Sequence, residues 1–146
     1  MALVRVARTV TEEFQEAPPK PVTAAPVGWA YFFTAETEIN PTQGGFVAYN
    51  NTNPAEVTRI GIGNGTVNGA GDPSVYFLKV GRRTADPDVA TLFLRSPTNL
   101  AKWAVYTVTA IQPGAGDSWY EFAVEFLDKQ TGFAAMDTVL LELTPT

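Results

Sequence analysis

The chain has 146 residues, 45% of them hydrophobic, which is enough for one domain with a core plus a short extension and excludes a wholly disordered chain. Ten Lys and Arg against fifteen Asp and Glu give a formal net charge of −5, which disfavours binding to nucleic acid. The sequence contains no cysteine and no histidine, so disulfides, thiolate nucleophiles and metal sites built from those residues are excluded.

The first 27 residues are predicted to form a docking arm and a linker. In residues 1–15 apolar positions alternate with small or basic ones, which favours an extended segment that pairs with a partner, although a frayed terminus is the alternative interpretation. The valines would supply apolar contacts and the arginines would meet acidic groups. The residues expected to do this are Val4, Arg5, Val6, Arg8 and Val10. Four prolines in 16–27 then predict an extended spacer.

Residues 28–146 are predicted to form the domain, because apolar and polar positions there alternate with the period of a half-buried strand. The first strand, 29–34, places Trp29, Tyr31 and Phe33 on its core face. Phe32 falls on the opposite face and would need the arm, a loop or another subunit to cover it. The remaining predicted strands are 45–49, 57–62, 75–80, 89–95, 102–111, 118–128 and 138–144.

About eight short strands separated by turn clusters predict an all-β fold, an antiparallel β-sandwich of jelly-roll-like type. The turn "QPGAGDS" should join strands 102–111 and 118–128 in a hairpin. The glycine-rich stretch that begins with "GIGNG" should close a second hairpin, from 57–62 to 75–80. It does not match a phosphate-binding fingerprint, because that motif needs a helix that begins at its last glycine, and the residues that follow do not predict one.

The residues predict neither an enzyme nor a cofactor. Glu121 and Glu125 share a strand face about 13 Å apart, which exceeds the carboxylate separations of about 5 to 9.5 Å in glycosidases. Asp72 and the "DPD" at 86–88 lack the spacing of a calcium loop, so no metal is expected. No run is long and apolar enough for a spanning helix or a signal peptide, so we expect no membrane insertion.

Aromatic residues beside turns are the candidates for a binding surface. Trp119 and Tyr120 directly follow the "PGAGDS" turn, and one of them must face away from the core if the strand is regular. Trp103 lies in the partner strand. Together with Phe32, these residues are predicted to stack on a glycan or to contact another subunit, with core packing as the alternative.

Three segments resemble, in order, a β-domain found in tail-fibre and collagen-like tail proteins of tailed bacteriophages. They are "GWAYFFTAET", "PTQGGFVAYNNTNPAEVTRIGI" and "LAKWAVYTVTAIQPGAGDSWYEFAVEFLDKQTGFAAMDTVLLELTP". The resemblance covers residues 28 to 145, and the middle of the chain, 61–96, departs from the pattern. It provides no catalytic residue that maps onto this sequence.

The resemblance implies a structural protein of the virion: a tail fibre, a head fibre or a decoration component made in the host cytoplasm. Its partners would be other virion proteins of the capsid or tail and further copies of the chain, with a homotrimer favoured. A host surface glycan is the alternative partner, in which case the domain would be a carbohydrate-binding module for host recognition.

Overall fold

The computed structural model describes residues 29–67, 72–81 and 89–146. Within these ranges the chain forms seven strands and one α-helix. In chain order the elements are β1 (Trp29–Thr34), β2 (Phe46–Tyr49), β3 (Arg59–Gly63), α1 (Ser74–Gly81), β4 (Ala90–Arg95), β5 (Trp103–Pro113), β6 (Trp119–Lys129) and β7 (Thr138–Pro145). Two short 3₁₀ turns, Pro54–Glu56 and Ala115–Asp117, lie before β3 and β6.

The strands close into a barrel in the order β1-β2-β3-β6-β5-β4-β7. β7 pairs with β4 on one side and with β1 on the other, so the sheet has no separate second layer. β1 and β2 are parallel, and the other neighbours are antiparallel. The predicted two-sheet sandwich of about eight strands is therefore wrong. Period-two alternation marks one buried face per strand, and that face can line a barrel as well as a sandwich.

The predicted strand 75–80 is wrong, because these residues form α1. The helix begins after Asp72, whose side chain accepts a hydrogen bond from the Ser74 amide at 2.8 Å. Inside it, Phe77 and Val80 are buried three positions apart while Val75 is 68% exposed, which is helical spacing. The predicted hairpin from 57–62 to 75–80 is also wrong, since β3 pairs with β2 and β6.

Helix α1 closes one end of the barrel. The Phe77 ring lies edge-on to Trp29, Tyr120 and Phe122, with ring centroids 5.5, 5.5 and 5.0 Å away. At the opposite end Phe33 contacts both Tyr49 and Phe133, at 5.0 and 5.8 Å. The barrel interior is thus filled by aromatic and aliphatic side chains from end to end.

The predicted hairpin of 102–111 and 118–128 is confirmed as β5 and β6, which pair antiparallel. The predicted alternation holds from Ala104 to Val108, whose inward side chains are buried. A register shift between Val108 and Ala110 then places Ile111 in the core, where the simple alternation predicts Ala110. An extra residue of this kind is a β-bulge, which a period-two pattern does not reveal.

Candidate functional site

Half-buried apolar side chains lie together on the outer wall of the barrel. Three of them sit between two core residues of their own strand, a fourth adjoins one core residue, and the fifth packs its ring beside one of the others, so these side chains point outward. We call this surface the apolar band. Its members are Phe32 on β1, Phe46 on β2, Leu140 on β7, Phe93 on β4 and Trp103 on β5.

The strand registers bring these residues next to one another. Phe32 is opposite Phe46, and their ring centroids are 6.2 Å apart. On the other side of the band, the centroids of Phe93 and Trp103 are 6.3 Å apart. Leu140 lies opposite Ala30 on β1 and Arg95 on β4. The β7 residues opposite Phe32 and Phe93 are Thr138 and Glu142, so Leu140 lies diagonally between the two aromatic pairs, and the band crosses five of the seven strands.

One ion pair lies inside the apolar band. The Arg95 guanidinium contacts the Glu142 carboxylate at 3.1 Å, and both side chains are partly exposed. In the sheet register Glu142 is opposite Phe93, while Arg95 is opposite Trp103. A band of aromatic rings with an arginine at its centre has the composition of a protein interface.

The aromatic residues that the sequence predicts for a binding surface differ in how far they are buried. Phe32 and Trp103 are half-buried on the outer wall, and the Trp103 indole donates a hydrogen bond to the Gln130 side chain at 2.9 Å. Trp119 and Tyr120 are only 3% and 2% exposed. Burial of both rings does not support a stacking platform there, because a platform needs an exposed ring face.

Trp119 is covered by the turn that precedes it. Any side chain at Gly114 would collide with the Trp119 indole, and the Gly114 amide donates to the Trp119 carbonyl at 2.8 Å. The turn folds back over the ring in this way. One of the two neighbours does point away from the barrel core, as alternation requires, but a loop covers it.

A cleft of about 250 Å³ adjoins the apolar band at Phe46. We call it the acidic cleft. It lies outside β1 and β2, under the connection between these two strands. Its main lining residues are Thr34, Glu36, Glu38, Pro41, Gln43 and Phe46.

The wall of the acidic cleft is fixed by close packing on β3. Thr42 and Ile39 are buried against the strand, and the Thr42 hydroxyl donates to the Ile39 carbonyl at 2.6 Å. A Cβ atom at Gly61 would overlap the Thr42 side chain, and one at Gly63 would overlap the Gln43 backbone. Glycine at both positions lets the loop lie directly on the strand.

Among the residues that the structure describes, no ion pair offsets the negative charge of the acidic cleft. The described residues form three ion pairs: Arg59 with Glu121, Arg95 with Glu142, and Lys102 with Asp137. Glu36 and Glu38 belong to none of them, and both side chains are exposed. The Glu38 carboxylate accepts only from the Asn40 amide, at 3.3 Å, among the hydrogen bonds that the structure gives it.

The titratable groups with shifted pKa values have structural explanations. A hydrogen bond from Lys102, followed by one from the Ala134 amide, lowers the pKa of Asp137. Burial raises the pKa of Tyr106 to about 12 and also raises that of Tyr31. These phenols stay protonated at neutral pH and act as core side chains.

Other predicted features fall elsewhere. The arm residues Val4, Arg5, Val6, Arg8 and Val10 lie outside the described residues, as does the "DPD" at 86–88. Over 29–67, 72–81 and 89–146, acidic side chains do not gather in groups of three or more that could hold a metal ion. The same ranges contain no helix of the length and hydropathy needed to cross a bilayer.

The chain was compared with protein-family models, curated proteins and solved structures, and none of these three comparisons finds a match.

Sequence reasoning missed Phe46, Phe93, Leu140, Glu36 and Glu38. A signal was present for Phe93, which is out of phase with the core residues Leu92 and Leu94, as Phe32 is with its neighbours. The test that identifies Phe32, a large apolar residue on the polar phase of its strand, would also have identified Phe93. The carboxylates lie in a loop, where no period applies.

Proposed function

We propose that the chain is a non-enzymatic structural protein of a tailed-bacteriophage virion, a tail-fibre, head-fibre or decoration component. The observation that carries the proposal is the apolar band, which gives the barrel a surface for self-association. Multimers, with a trimer favoured, would cover Phe32, Phe93 and Trp103. The arm of residues 1–15 would attach the barrel to the next protein of the particle. The family resemblance of the sequence supports the virion assignment.

The non-enzymatic part of the proposal is supported by how the carboxylates are used. Glu121, the nearest candidate for acid or base chemistry, is held by Arg59 at 2.7 Å on the convex outer surface. Catalytic carboxylates are usually placed in clefts that shift their pKa values and exclude water. Glu121 instead lies on the outer wall, where its pairing with Arg59 is a cross-strand contact between β3 and β6.

The virion assignment is tested by looking for the protein in particles. Antibodies raised against the full-length protein should label purified virions of the phage that encodes it, at one fixed place visible by negative-stain electron microscopy. Labelling confined to lysates of infected cells, with clean particles unlabelled, would contradict the assignment. Finding the gene for this chain outside any phage genome would also contradict the virion assignment.

A second candidate function, host glycan binding, is favoured by Trp103. Its ring is half-exposed beside Phe93, and the hydrogen bond to Gln130 fixes the ring orientation. A fixed, partly exposed indole is a suitable surface for a sugar ring. On this interpretation the Phe93 and Trp103 end of the apolar band stays uncovered in the multimer.

The glycan candidate is tested with Trp103→Ala and its conservative control, Trp103→Phe. If the ring is a platform, Trp103→Ala should abolish retention on immobilised host surface polysaccharide and leave the solution mass unchanged, while Trp103→Phe retains part of the binding. Equal retention of wild type and Trp103→Ala would remove this candidate and would leave the structural role untouched.

A further inference from the structure

Five of the asparagines that the structure describes are held or blocked by their surroundings. The side-chain oxygens of Asn50, Asn51 and Asn99 each accept a hydrogen bond from at least one backbone amide, at 2.8 to 3.1 Å. Asn40 and Asn53 are each followed by a proline, whose ring nitrogen carries no hydrogen. In all five, either the carboxamide is engaged or the next backbone nitrogen cannot act as a nucleophile.

Asn64 lies directly after β3 and has neither constraint. It is followed by Gly65, and both residues are partly exposed, so water can reach them. Within 29–67, 72–81 and 89–146, the structure gives no hydrogen-bond partner to the Asn64 carboxamide or to the Gly65 backbone amide. Gly65 also has no side chain to hinder an approach to its nitrogen. The two groups that would have to react are therefore both available.

We propose that Asn64 and Gly65 form a site of spontaneous deamidation in the folded protein. The Gly65 nitrogen loses its proton and attacks the side-chain carbonyl carbon of Asn64. A bond forms between these two atoms, the bond from that carbon to the side-chain nitrogen breaks, and the nitrogen leaves as ammonia. The product is a five-membered succinimide ring. The modification does not depend on the proposed function.

Water then opens the succinimide at one of its two carbonyl carbons. Opening at the side-chain carbonyl leaves an aspartyl residue at position 64. Opening at the backbone carbonyl leaves an isoaspartyl residue, in which the main chain runs through Cβ. Both products replace a neutral carboxamide by a carboxylate, so each makes the chain one charge more negative.

The loop that receives the modification is fixed on both sides. The Asn64 amide donates to the Ser118 carbonyl at 3.1 Å, and the Val67 amide donates to the Ala30 carbonyl at 2.9 Å. The isoaspartyl product adds one atom to the main chain between these two hydrogen bonds. We expect this longer path to break or weaken at least one of them, so the modified protein should melt at a lower temperature.

Peptide mass spectrometry of the folded full-length protein tests the site. Asn68 also precedes a glycine but lies outside the described residues, so Asn68→Gln is introduced in every protein and position 64 alone reports. The proteins are incubated under native conditions and digested at acidic pH, and isoaspartyl methyltransferase labels the isoaspartyl product. Conversion at position 64 should become faster as the pH rises, because the attacking nitrogen must lose its proton. Peptides that contain Asn50, Asn51 or Asn99 should stay unmodified.

Gly65→Ala is the matched control, because a methyl group hinders the attack without disturbing the fold. Gly65 does not have a positive φ, and a Cβ atom there would meet the backbone of Gly44 and Gly45 at ordinary distances of 3.8 to 4.0 Å. We expect the substitution to slow conversion on the order of tenfold, which corresponds to about 1.4 kcal/mol in the barrier. Its melting temperature should stay constant during incubation, whereas that of the parent protein should fall.

Four results would overturn the inference. The first is an Asn64 that stays intact in the folded protein but converts in urea, since the fold would then block the reaction. The second is an equal rate in the parent and in Gly65→Ala, and the third is conversion at Asn50, Asn51 or Asn99 as fast as at Asn64. The fourth is a fully converted protein that keeps the melting temperature of fresh protein, which would contradict the effect on the loop. Each rate is read from single peptides, so the result does not depend on the oligomeric state or on the virion assignment.

Discussion

At the scale of single residues, Gly114 explains why the Trp119 ring is buried, although the sequence places this residue directly after a turn. Gly114→Ala should destabilise the fold by about 1 to 3 kcal/mol, because the new methyl group would overlap the Trp119 indole in a tightly packed site. Urea denaturation measures the cost. Gly132→Ala is the control, since a Cβ atom there meets only the Pro54 ring at an ordinary 3.6 Å. Equal stabilities of the two variants would show that the turn does not cover the ring.

A second prediction at this scale concerns Asp137. Its pKa lies below the ordinary value of 3.8, mainly because Lys102 donates to its carboxylate. A lowered pKa contributes stability that is present above the ordinary value and is lost as the pH falls through the folded-state value. Asp137→Asn should therefore cost about 1 kcal/mol at pH 7, a small amount because both side chains are partly exposed.

The pH dependence of that cost is the discriminating observation. The difference in unfolding free energy between wild type and Asp137→Asn should shrink between pH 7 and pH 3. Glu125→Gln, which removes an exposed carboxylate that belongs to none of the three ion pairs, should change stability little at either pH. A cost for Asp137→Asn that stays constant over this range would contradict the assigned role of Lys102.

At the scale of elements, helix α1 acts as a plug for the barrel. Phe77→Ala should cost about 3 to 5 kcal/mol, because the ring is fully buried among three other aromatic rings. Val75→Ala, two residues away on the exposed face of the same helix, should cost close to nothing. Thermal or urea unfolding compares the two. Similar losses for both variants would mean that the helix packs differently on the barrel.

The elements also show where sequence reasoning succeeds. Alternation correctly gave the core face of β1, and the turn between two alternating segments correctly gave the hairpin of β5 with β6. Alternation failed for α1, whose β-branched and aromatic residues suit a strand by propensity. Asp72 and Ser74 at the start of the helix were the competing signal. In so short a segment, tertiary packing of Phe77 decides the outcome.

At the scale of the whole molecule, no local pattern could have told a barrel from a sandwich. The difference lies in one strand, β7, which pairs with both β1 and β4 and so closes the sheet. The parallel pair β1 and β2 needs a connection that crosses the outside of the barrel, and this connection forms the acidic cleft. The cleft is therefore a consequence of topology, which the sequence does not display.

The apolar band could be predicted in part. The sequence alone predicts that Phe32 needs to be covered. Its proximity to Phe46 and Leu140 is evident only when the strand order is known. Half-buried rings on four strands, together with Leu140 on a fifth, form an apolar surface of the kind that another subunit can cover. The proposed self-association would use this band.

Light scattering coupled to size exclusion would decide whether the band self-associates. We predict that the full-length wild type has the mass of a multimer, a trimer being favoured, and that Phe93→Lys shifts it toward a monomer without unfolding, since a lysine tip can reach solvent. Ser118→Lys adds the same charge at an exposed position directly before β6, outside the band, and should keep the wild-type mass. A wild type that is monomeric at every concentration, or a Phe93→Lys protein with the wild-type mass, would contradict self-association through the apolar band.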